Sequence, residues 1–363
     1  MSGRGFATNI IKGFDTSFDE SACGACVQTC PTKALSDKFE TKTLVAYEVI
    51  RTTYTYCGVG CQLDVSKING EIKGIQAVET AEVNQGHTCL KGRFAFQFYN
   101  HPDRLKEPFI KRNGKFKEVS WDEAYTFIAD KLTQIKADFG PNSIGGISSS
   151  RATNEEDYLM QKFIRTVINT NNIDGYARVC HAPTAYGMQQ AFGMGAATNS
   201  IEDSDQTDAI FLFGEAHQVT EAKIKQLFML GVTSIVVDLV QTKLAKLATY
   251  HLQLRPGTNV AILNMMAHYI IAEDLVNFEF ITKYTEYYAD FKAHVSDLDM
   301  DELEKLTGVS KALVRDASIA YAKADNAMEF HGLCVTEHFQ GSKTWCGTNY
   351  LSSTRCIYQY HYR

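Results

Sequence analysis

Six of the ten cysteines lie in the first quarter of the chain, mostly with two or three other residues between neighbours. They are Cys23, Cys26, Cys30, Cys57, Cys61 and Cys89. In a reducing compartment, cysteines at such spacing are typical of metal binding rather than of disulfide bonds. The crowding therefore predicts a metal-binding amino-terminal region.

The composition is that of a globular protein long enough for two or three domains, with 363 residues, 45% hydrophobic and 21% charged. The formal net charge of −6 shows no basic surplus of the kind that nucleic-acid-binding proteins carry, so that class is disfavoured.

The apolar run at 227–240 is broken before it reaches the roughly 20 residues that span a bilayer. Residues 1–14 contain no export signal, and the expected location is cytoplasmic.

After Pro102, helix-like segments alternate with short apolar segments. We expect helices at 121–139, 155–169 and 220–230, and strands at 143–148, 209–214 and 234–237. This alternation predicts an α/β layered sheet. Asp238 follows the last of these strands, where an acidic residue suits a ribose hydroxyl in a dinucleotide-like site. The alternative is that Asp238 only caps the next helix.

The chain divides into three expected regions. Residues 1–44 form a ferredoxin-like remnant, residues 45–103 a small α+β iron–sulfur cap, and residues 104–363 an α/β region. In the cap, strand-like stretches at 63–68 and 72–75 surround cysteines whose spacing suits an iron–sulfur cluster. A zinc site or buried unreactive thiols are the alternatives. This unit has only Cys57, Cys61 and Cys89, whereas a cubane cluster normally takes four cysteines.

Two stretches around these cysteines resemble the amino-terminal cluster motif of the bis-molybdopterin-guanine-dinucleotide oxidoreductases. They are Thr55-Tyr-Cys-Gly-Val-Gly-Cys-Gln62 and His87-Thr-Cys-Leu-Lys-Gly-Arg93. The family motif has a further cysteine where this chain has Tyr54. Lys91 matches the family's lysine between cluster and pterin; without the resemblance it would be interpreted as a solvated surface residue.

A third stretch, Arg178-Val-Cys-His-Ala-Pro-Thr184, is similar to the formate dehydrogenase segment whose Cys or selenocysteine ligates the metal. A lone Cys–His pair would more often be a buried thiol beside a structural histidine. The neighbouring segments 148–151, 153–155, 193–195, 198–200 and 254–259 resemble the same family in the same order. The likeness therefore runs from about Ser2 to Gly341.

The resemblance implies a full set of site residues. Cys180 and His181 are the expected catalytic residues. The expected cofactor-binding residues are Lys91, Arg151, Asn154, Gly214, Glu215, His217, Asp238, Pro256, Gly257, Thr258 and Asn259. The expected metal ligands are Cys57, Cys61, Cys89, Cys23, Cys26, Cys30 and Cys180. The implied cofactors are a 4Fe-4S cluster and a Mo- or W-bis-molybdopterin guanine dinucleotide. The implied fold has layered parallel-sheet lobes at 104–149 plus 325–363 and at 150–324, with 332–338 as a return strand.

Several positions depart from the family pattern. The run Cys23-x-x-Cys26-x-x-x-Cys30-Pro31 resembles a ferredoxin motif from which three residues and one cysteine are lost. The loop at 214–217 is short, and Leu239, Val240 and Gln241 replace a proline and two arginines. Residues 345–363 do not resemble the family. We expect the family's formate-anchoring arginine and carboxy-terminal domain to be missing from this chain.

The resemblance implies oxidation of formate to carbon dioxide, with Cys180 as the metal's protein ligand and His181 managing the proton or orienting the substrate. The expected electron acceptor is a NADH-linked flavin/iron–sulfur subunit, a hydrogenase or a ferredoxin. The alternatives are an inactive truncated fragment, an iron–sulfur electron carrier, or another molybdopterin oxidoreductase such as a nitrate reductase. Because of the departures, we expect that the purified chain will not oxidise formate at a useful rate, even when it is expressed with abundant molybdenum cofactor.

Overall fold

The structure, a computed structural model, describes residues 27–28, 48–56, 59–196, 198–200, 202–214, 224, 227–337, 340–344 and 358–361. Contacts between α-carbons separate the described residues into two compact units. The first holds the described residues up to Arg104, and the second holds those from Leu105 onward.

The first unit is built on a three-stranded antiparallel sheet. Its strands and helices, in chain order, are β1 (Glu48–Thr53), β2 (Gln62–Ile68), β3 (Glu71–Ala77), α1 (Leu90–Phe94) and α2 (Gln97–Asn100). The sheet order is β1-β2-β3, so the strands expected at 63–68 and 72–75 are confirmed. Asn69 and Gly70 join β2 to β3 with φ angles of 51° and 82°, the left-handed pair that favours a tight hairpin.

The second unit combines a large parallel sheet with two small strand pairs. Its elements begin with β4 (Phe109–Arg112), β5 (Lys115–Glu118), α3 (Trp121–Phe139), β6 (Gly146–Ser148), α4 (Asn154–Lys162), β7 (Ile173–Gly175), α5 (Ala177–Cys180) and α6 (Ala182–Phe192). They continue with β8 (Ala209–Phe213), β9 (Thr233–Val237), β10 (Tyr250–Leu252), α7 (Asn259–Ala272), α8 (Phe278–Tyr284), α9 (Tyr288–Ser296), α10 (Met300–Thr307), α11 (Lys311–Ala322), β11 (Ala327–His331), α12 (Leu333–Thr336) and β12 (Tyr358–His361).

The large sheet has the strand order β10-β9-β8-β11-β12, and all of its pairs are parallel. Every residue of β8 and of β11 is buried. Helices α7 and α11 cover one face, while Ile224, Leu227 and Phe228 pack on the other. Because both faces of β8 are buried, its sequence is a continuous apolar run, Ala-Ile-Phe-Leu-Phe.

The strand order reverses next to β8. From β8 the chain adds β9 and β10 on one side and then returns to place β11 on the other side. In open α/β sheets, ligands bind at such a reversal, outside the carboxyl ends of the strands. The edge formed by the loops after β8, β9, β10 and β11 is therefore where a ligand is expected, and we call it the carboxyl edge.

Three expectations from the sequence need correction or completion. The return strand expected at 332–338 is wrong, because residues 333–336 form the short helix α12 and the strand is β11. In the sheets, β11 lies beside β8 and β6 pairs with β7, while the expected division into lobes stays a prediction. The expected helix at 220–230 falls largely outside the described residues.

None of the described helices is both long and apolar enough to cross a membrane.

Candidate functional site

Cys61 and Cys89 lie in the first unit, at the start of β2 and at the amino end of α1. Both side chains are buried, with 0% and 1% exposure. Cys89 caps helix α1, because its Sγ accepts a hydrogen bond from the Gly92 N–H at 3.4 Å. Neither cysteine is in a disulfide bond. A buried thiol at a helix amino end is a suitable ligand for a metal group.

Asn84 connects the two cysteine segments. Its buried side-chain amide accepts from the Gln62 N–H at 2.8 Å and donates to the Gln62 carbonyl at 3.2 Å and to the His87 carbonyl at 2.8 Å. Gln62 follows Cys61, and His87 lies two residues before Cys89. One side chain thus fixes both segments through three hydrogen bonds.

Tyr54 lies beside both cysteine segments. Its backbone N–H donates to the Cys61 carbonyl at 2.8 Å. A Cβ built on Gly92 would lie 3.6 Å from the Cε1 atom of the Tyr54 ring and would collide with the Thr88 hydroxyl. A side chain at position 92 would therefore displace the Thr88 hydroxyl, whereas the Tyr54 ring would lie at ordinary contact distance from the turn that carries Cys89.

Lys91 is on the exposed side of α1. Its Nζ lies 5.1 Å from the centroid of the Tyr56 ring, and that ring stacks on Tyr54 with centroids 5.9 Å apart. The cation–π contact holds the ammonium group near the cysteine-bearing loop. Lys91 is therefore a surface residue whose side chain is held by the Tyr56 ring.

Four of the expected iron ligands, Cys23, Cys26, Cys30 and Cys57, lie outside the described residues. Among the residues that the structure does describe, no three His, Cys, Asp or Glu side chains group as a metal site requires. The expected ferredoxin-like ligand set therefore stays a prediction.

Cys180 is the last residue of α5 in the second unit, five residues after strand β7 ends at Gly175. The Tyr176 N–H donates to the Ser148 carbonyl at 2.8 Å, which extends the β6–β7 pairing up to α5. His181 joins α5 to α6, where Pro183 occupies the first turn and its missing N–H costs nothing. Both Cys180 and His181 are half-buried. Their side chains are not enclosed in the hydrophobic core.

Two charged side chains act on Cys180. Burial raises the pKa of the Cys180 thiol, the hydrogen bond to the Glu337 carboxylate and its negative charge raise it further, and the Arg151 guanidinium lowers it. The metal-free thiol therefore keeps its proton more firmly than an ordinary cysteine, and metal binding would release that proton. Glu337 was not among the residues expected from the sequence.

Thr184 and Thr336 explain how Glu337 reaches Cys180. Their hydroxyl oxygens are 2.5 Å apart, and the two side chains are 0% and 1% exposed. Thr184 lies in the first turn of α6, and Thr336 ends α12 just before Glu337. The bond thus joins the Cys180–His181 segment to the loop after β11, on the carboxyl edge.

Gly214 and Asp238 end neighbouring parallel strands on the same edge. Gly214 has a φ of 82°, a conformation that glycine adopts without strain, and its N–H donates to the Val237 carbonyl at 2.8 Å. Asp238 accepts from the Val240 N–H at 2.9 Å and is half-buried. The described residues 239–249 form no helix, so the alternative that Asp238 caps the next helix is wrong. The bond to Val240 uses one carboxylate oxygen, and a contact of Asp238 with a ribose hydroxyl stays a prediction.

The loop after β10 contains Pro256, Gly257, Thr258 and Asn259 and leads into α7. It lines a shallow pocket of about 510 Å³ with Arg255, Pro256, Thr258, Glu302, Lys305 and Leu306. Arg255 ties the loop to α10 by donating to the Lys305 carbonyl at 2.7 Å. The pocket lining carries the two cations Arg255 and Lys305 together with the carboxylate of Glu302.

Arg151 and Asn154 flank the amino end of α4. Thr153 caps this helix with Glu156 in a reciprocal capping box, and Asn154 is the first helical residue. Glu215 and His217, the other expected cofactor contacts, lie outside the described residues. The structure therefore brings the loops of Arg151, Cys180 and Glu337 together and places Gly214, Asp238 and 256–259 on successive loops of the carboxyl edge.

Fold and site define an α/β protein with a nucleotide-type sheet edge and a cysteine-containing amino-terminal domain. Residues 104–357 match the family model described as "Molybdopterin oxidoreductase", and residues 47–101 match the model described as "Molybdopterin oxidoreductase Fe4S4 domain". The chain belongs to the molybdopterin oxidoreductase family. This confirms the family and the two kinds of cofactor, iron–sulfur and molybdopterin, that the sequence predicted.

Similar proteins include the F420-dependent formate dehydrogenase 1 subunit alpha of Methanococcus maripaludis, 39% identical over 298 residues, which are 81% of this chain and 44% of that protein. Formate dehydrogenase H of Escherichia coli is 38% identical over 304 residues, 81% of this chain and 42% of that protein. The expected relationship to formate dehydrogenases is thereby confirmed. The chain spans less than half the length of these relatives.

Among solved structures, the acetylene hydratase from Pelobacter acetylenicus matches with a TM-score of 0.69, covering 84% of this chain and 43% of that one. Its sequence identity is 23%, so this likeness concerns the fold alone.

Cys180 is the residue whose chemistry fits the metal of a molybdopterin group, because its thiol is half-buried, lies outside the hydrophobic core and is in no disulfide bond. At the cysteine-bearing domain the fit is partial, because residues 47–101 provide three thiols where a cubane cluster takes four.

Proposed function

We propose that this chain supplies the molybdopterin-binding and iron–sulfur-binding part of a formate dehydrogenase alpha subunit. Its reaction converts formate to carbon dioxide, one proton and two electrons. The observation that carries the proposal is the half-buried Cys180 thiol, whose segment the Thr184–Thr336 contact joins to the loop after β11 and whose pKa responds to the Glu337 carboxylate and the Arg151 guanidinium. Support comes from the similarity to formate dehydrogenase alpha chains.

In this proposal Cys180 binds the metal of a Mo- or W-bis-molybdopterin guanine dinucleotide. When bound, the cofactor supplies two-electron oxidation. Gly214, Asp238 and the 256–259 loop hold its nucleotide parts along the edge, with Arg151, Asn154, Glu215 and His217 as further contacts. Asp238 contacts a ribose hydroxyl, since an acidic residue at a strand end suits that role.

Arg151 attracts the formate anion toward Cys180, because it is the positive charge that acts on the thiol. His181 follows Cys180 directly and orients the substrate from the amino end of α6. The Glu337 carboxylate raises the pKa of the Cys180 thiol, so the thiol keeps its proton until a metal binds.

Cys57, Cys61 and Cys89 would hold an iron–sulfur cluster, which would supply electron transfer when bound. Lys91, held on the Tyr56 ring, would place a positive charge in the same domain. The ferredoxin-like segment with Cys23, Cys26 and Cys30 continues the path to a NADH-linked flavin/iron–sulfur subunit, a hydrogenase or a ferredoxin. The cysteine usage favours a reducing compartment, the cytoplasm.

A single-turnover assay tests the proposal. The full chain is produced in a host that makes the molybdenum cofactor, purified without oxygen and mixed with isotopically labelled formate. We expect labelled carbon dioxide in proportion to bound Mo or W, and its loss in Cys180→Ser at equal metal content. A metal-loaded chain that releases no carbon dioxide would contradict formate oxidation. Iron without Mo or W would favour the electron carrier instead.

Two arginines provide a matched pair of variants for the same assay. Arg151→Gln should raise the half-saturating formate concentration roughly ten- to a hundredfold, since a charged hydrogen bond or ion contact is worth roughly 1.5–3 kcal/mol. Arg178→Gln is the control, because Arg178 lies on the same short helix as Cys180 but is 71% exposed and pairs with Asp174. Equal effects of the two substitutions would remove the role of Arg151.

A further inference from the structure

The iron–sulfur domain has fewer cysteines than its expected cluster has irons. Residues 47–101 contain Cys57, Cys61 and Cys89 and no other cysteine. A four-iron cluster normally takes one cysteine thiolate on each iron. If this domain binds such a cluster through its own thiolates, one iron has no thiolate from the domain.

Tyr54 occupies the space beside the two described cysteines. Its backbone is hydrogen-bonded to Cys61, and its ring lies against the Gly92 turn whose N–H donates to the Cys89 sulfur. The ring also stacks on Tyr56, which holds Lys91. The side chain beside the two cysteine segments is therefore an aromatic ring, held by Tyr56 on one side and by the Gly92 turn on the other.

A phenol is a poor substitute for a thiolate on iron. It ordinarily keeps its proton at neutral pH, and the soft irons of these clusters prefer sulfur. The iron that faces Tyr54 would be held by cluster sulfides alone, and an iron without a protein ligand is the first to leave.

Thr88 gives an independent sign that a group with hydrogen-bond acceptors belongs next to Cys89. Its side chain is 1% exposed, and its hydroxyl oxygen has no hydrogen-bond partner among the described residues. A buried hydroxyl without a partner costs roughly 1–3 kcal/mol, and a cluster sulfide at this turn would accept its hydrogen bond.

We propose that this domain binds an iron–sulfur cluster through three cysteines, with one labile iron facing Tyr54, so that the cluster interconverts between four-iron and three-iron forms. The proposal rests on the iron–sulfur part of the proposed function and is independent of formate oxidation. In the conversion, the four-iron cluster loses one ferrous ion and one electron. Added ferricyanide accepts the electron, and a chelator binds the released iron.

The test uses the full chain with iron and sulfide reconstituted without oxygen, followed by stepwise ferricyanide and EPR spectroscopy. We expect the signal of an oxidised three-iron cluster, with loss of about one iron in four from this cluster. Fresh ferrous ion and a reductant should restore the iron and remove the signal. Cys89→Ser should abolish the signal, which assigns it to this domain rather than to the segment with Cys23, Cys26 and Cys30.

Substitutions at Tyr54 decide the proposal. Tyr54→Cys should retain the fourth iron and suppress the three-iron signal, whereas Tyr54→Phe, which keeps the ring and removes the hydroxyl, should behave like the unchanged chain. Loss of the fourth iron only in Tyr54→Phe would make Tyr54 a ligand and overturn the proposal. So would a three-iron signal that neither Tyr54→Cys nor Cys89→Ser alters, or a domain that takes up no iron. Formate turnover enters none of these readouts.

Discussion

The hydroxyl oxygens of Thr184 and Thr336 are 2.5 Å apart although 152 residues separate them in the chain. This buried contact joins the helix that follows Cys180 and His181 to the loop that follows the central strand β11. It places Glu337, the next residue after Thr336, at the Cys180 thiol. The candidate metal ligand is therefore positioned by a long-range hydrogen bond as well as by its own helix.

The threonine pair predicts a measurable coupling. Thr184→Val or Thr336→Val alone should lower the free energy of unfolding by about 1–3 kcal/mol, because each leaves a buried hydroxyl without its partner. The double variant should lose about 1 kcal/mol less than the sum of the two, since it removes both hydroxyls. Urea unfolding of the four proteins gives the values. Strict additivity would mean that the two hydroxyls do not interact.

The environment of Cys180 predicts how its alkylation depends on pH. Burial and Glu337 raise the pKa of the thiol, so the reactive thiolate forms only at a higher pH than in an ordinary cysteine. In the metal-free chain, Glu337→Gln should move the midpoint of iodoacetamide labelling to lower pH, and Arg151→Gln should move it to higher pH. Mass spectrometry of the Cys180 peptide follows the reaction. Shifts of the same sign in both variants would contradict the assignment.

Asn84 predicts a selective effect on iron binding. Asn84→Ala removes all three hydrogen bonds that fix the segments of Cys61 and Cys89, so the reconstituted chain should hold less iron. Asn100→Ala is the control: Asn100 bridges the backbone N–H and carbonyl of Ile72 in the same unit, at 3.2 and 2.6 Å. Its loss should destabilise the unit by about 1 kcal/mol and leave the iron content unchanged. Equal iron loss in both variants would indicate a general effect of stability.

Local signals in the sequence predicted much of the fold. Helix α3 was expected at 121–139 and occupies Trp121–Phe139, because Ser120 caps its amino end and Gly140, with a φ of 81°, ends it. Strands β8 and β9 were evident as short apolar runs. The helix expected at 155–169 forms as α4 followed by a π-helical segment, Phe163–Ile168, that no local pattern indicated.

Features that depend on distant contacts could not be predicted in this way. The pairing of β11 with β8 is a choice among strands far apart in the chain, which no local pattern specifies. Glu337 escaped notice for the same reason, because only the contact between Thr184 and Thr336 brings it to Cys180. Motif spacing identified Cys180 and the cysteines of the amino-terminal domain, whereas the side chains that position them come from folding.

X-ray absorption at the bound metal tests the central claim, that Cys180 is the protein ligand of the molybdenum or tungsten. The full chain and its Cys180→Ser variant are compared at equal metal content, with Cys61→Ser as a control that alters iron binding only. The account predicts one fewer sulfur neighbour of the metal in Cys180→Ser and an unchanged number in Cys61→Ser. Identical sulfur neighbours in the full chain and in Cys180→Ser would contradict it.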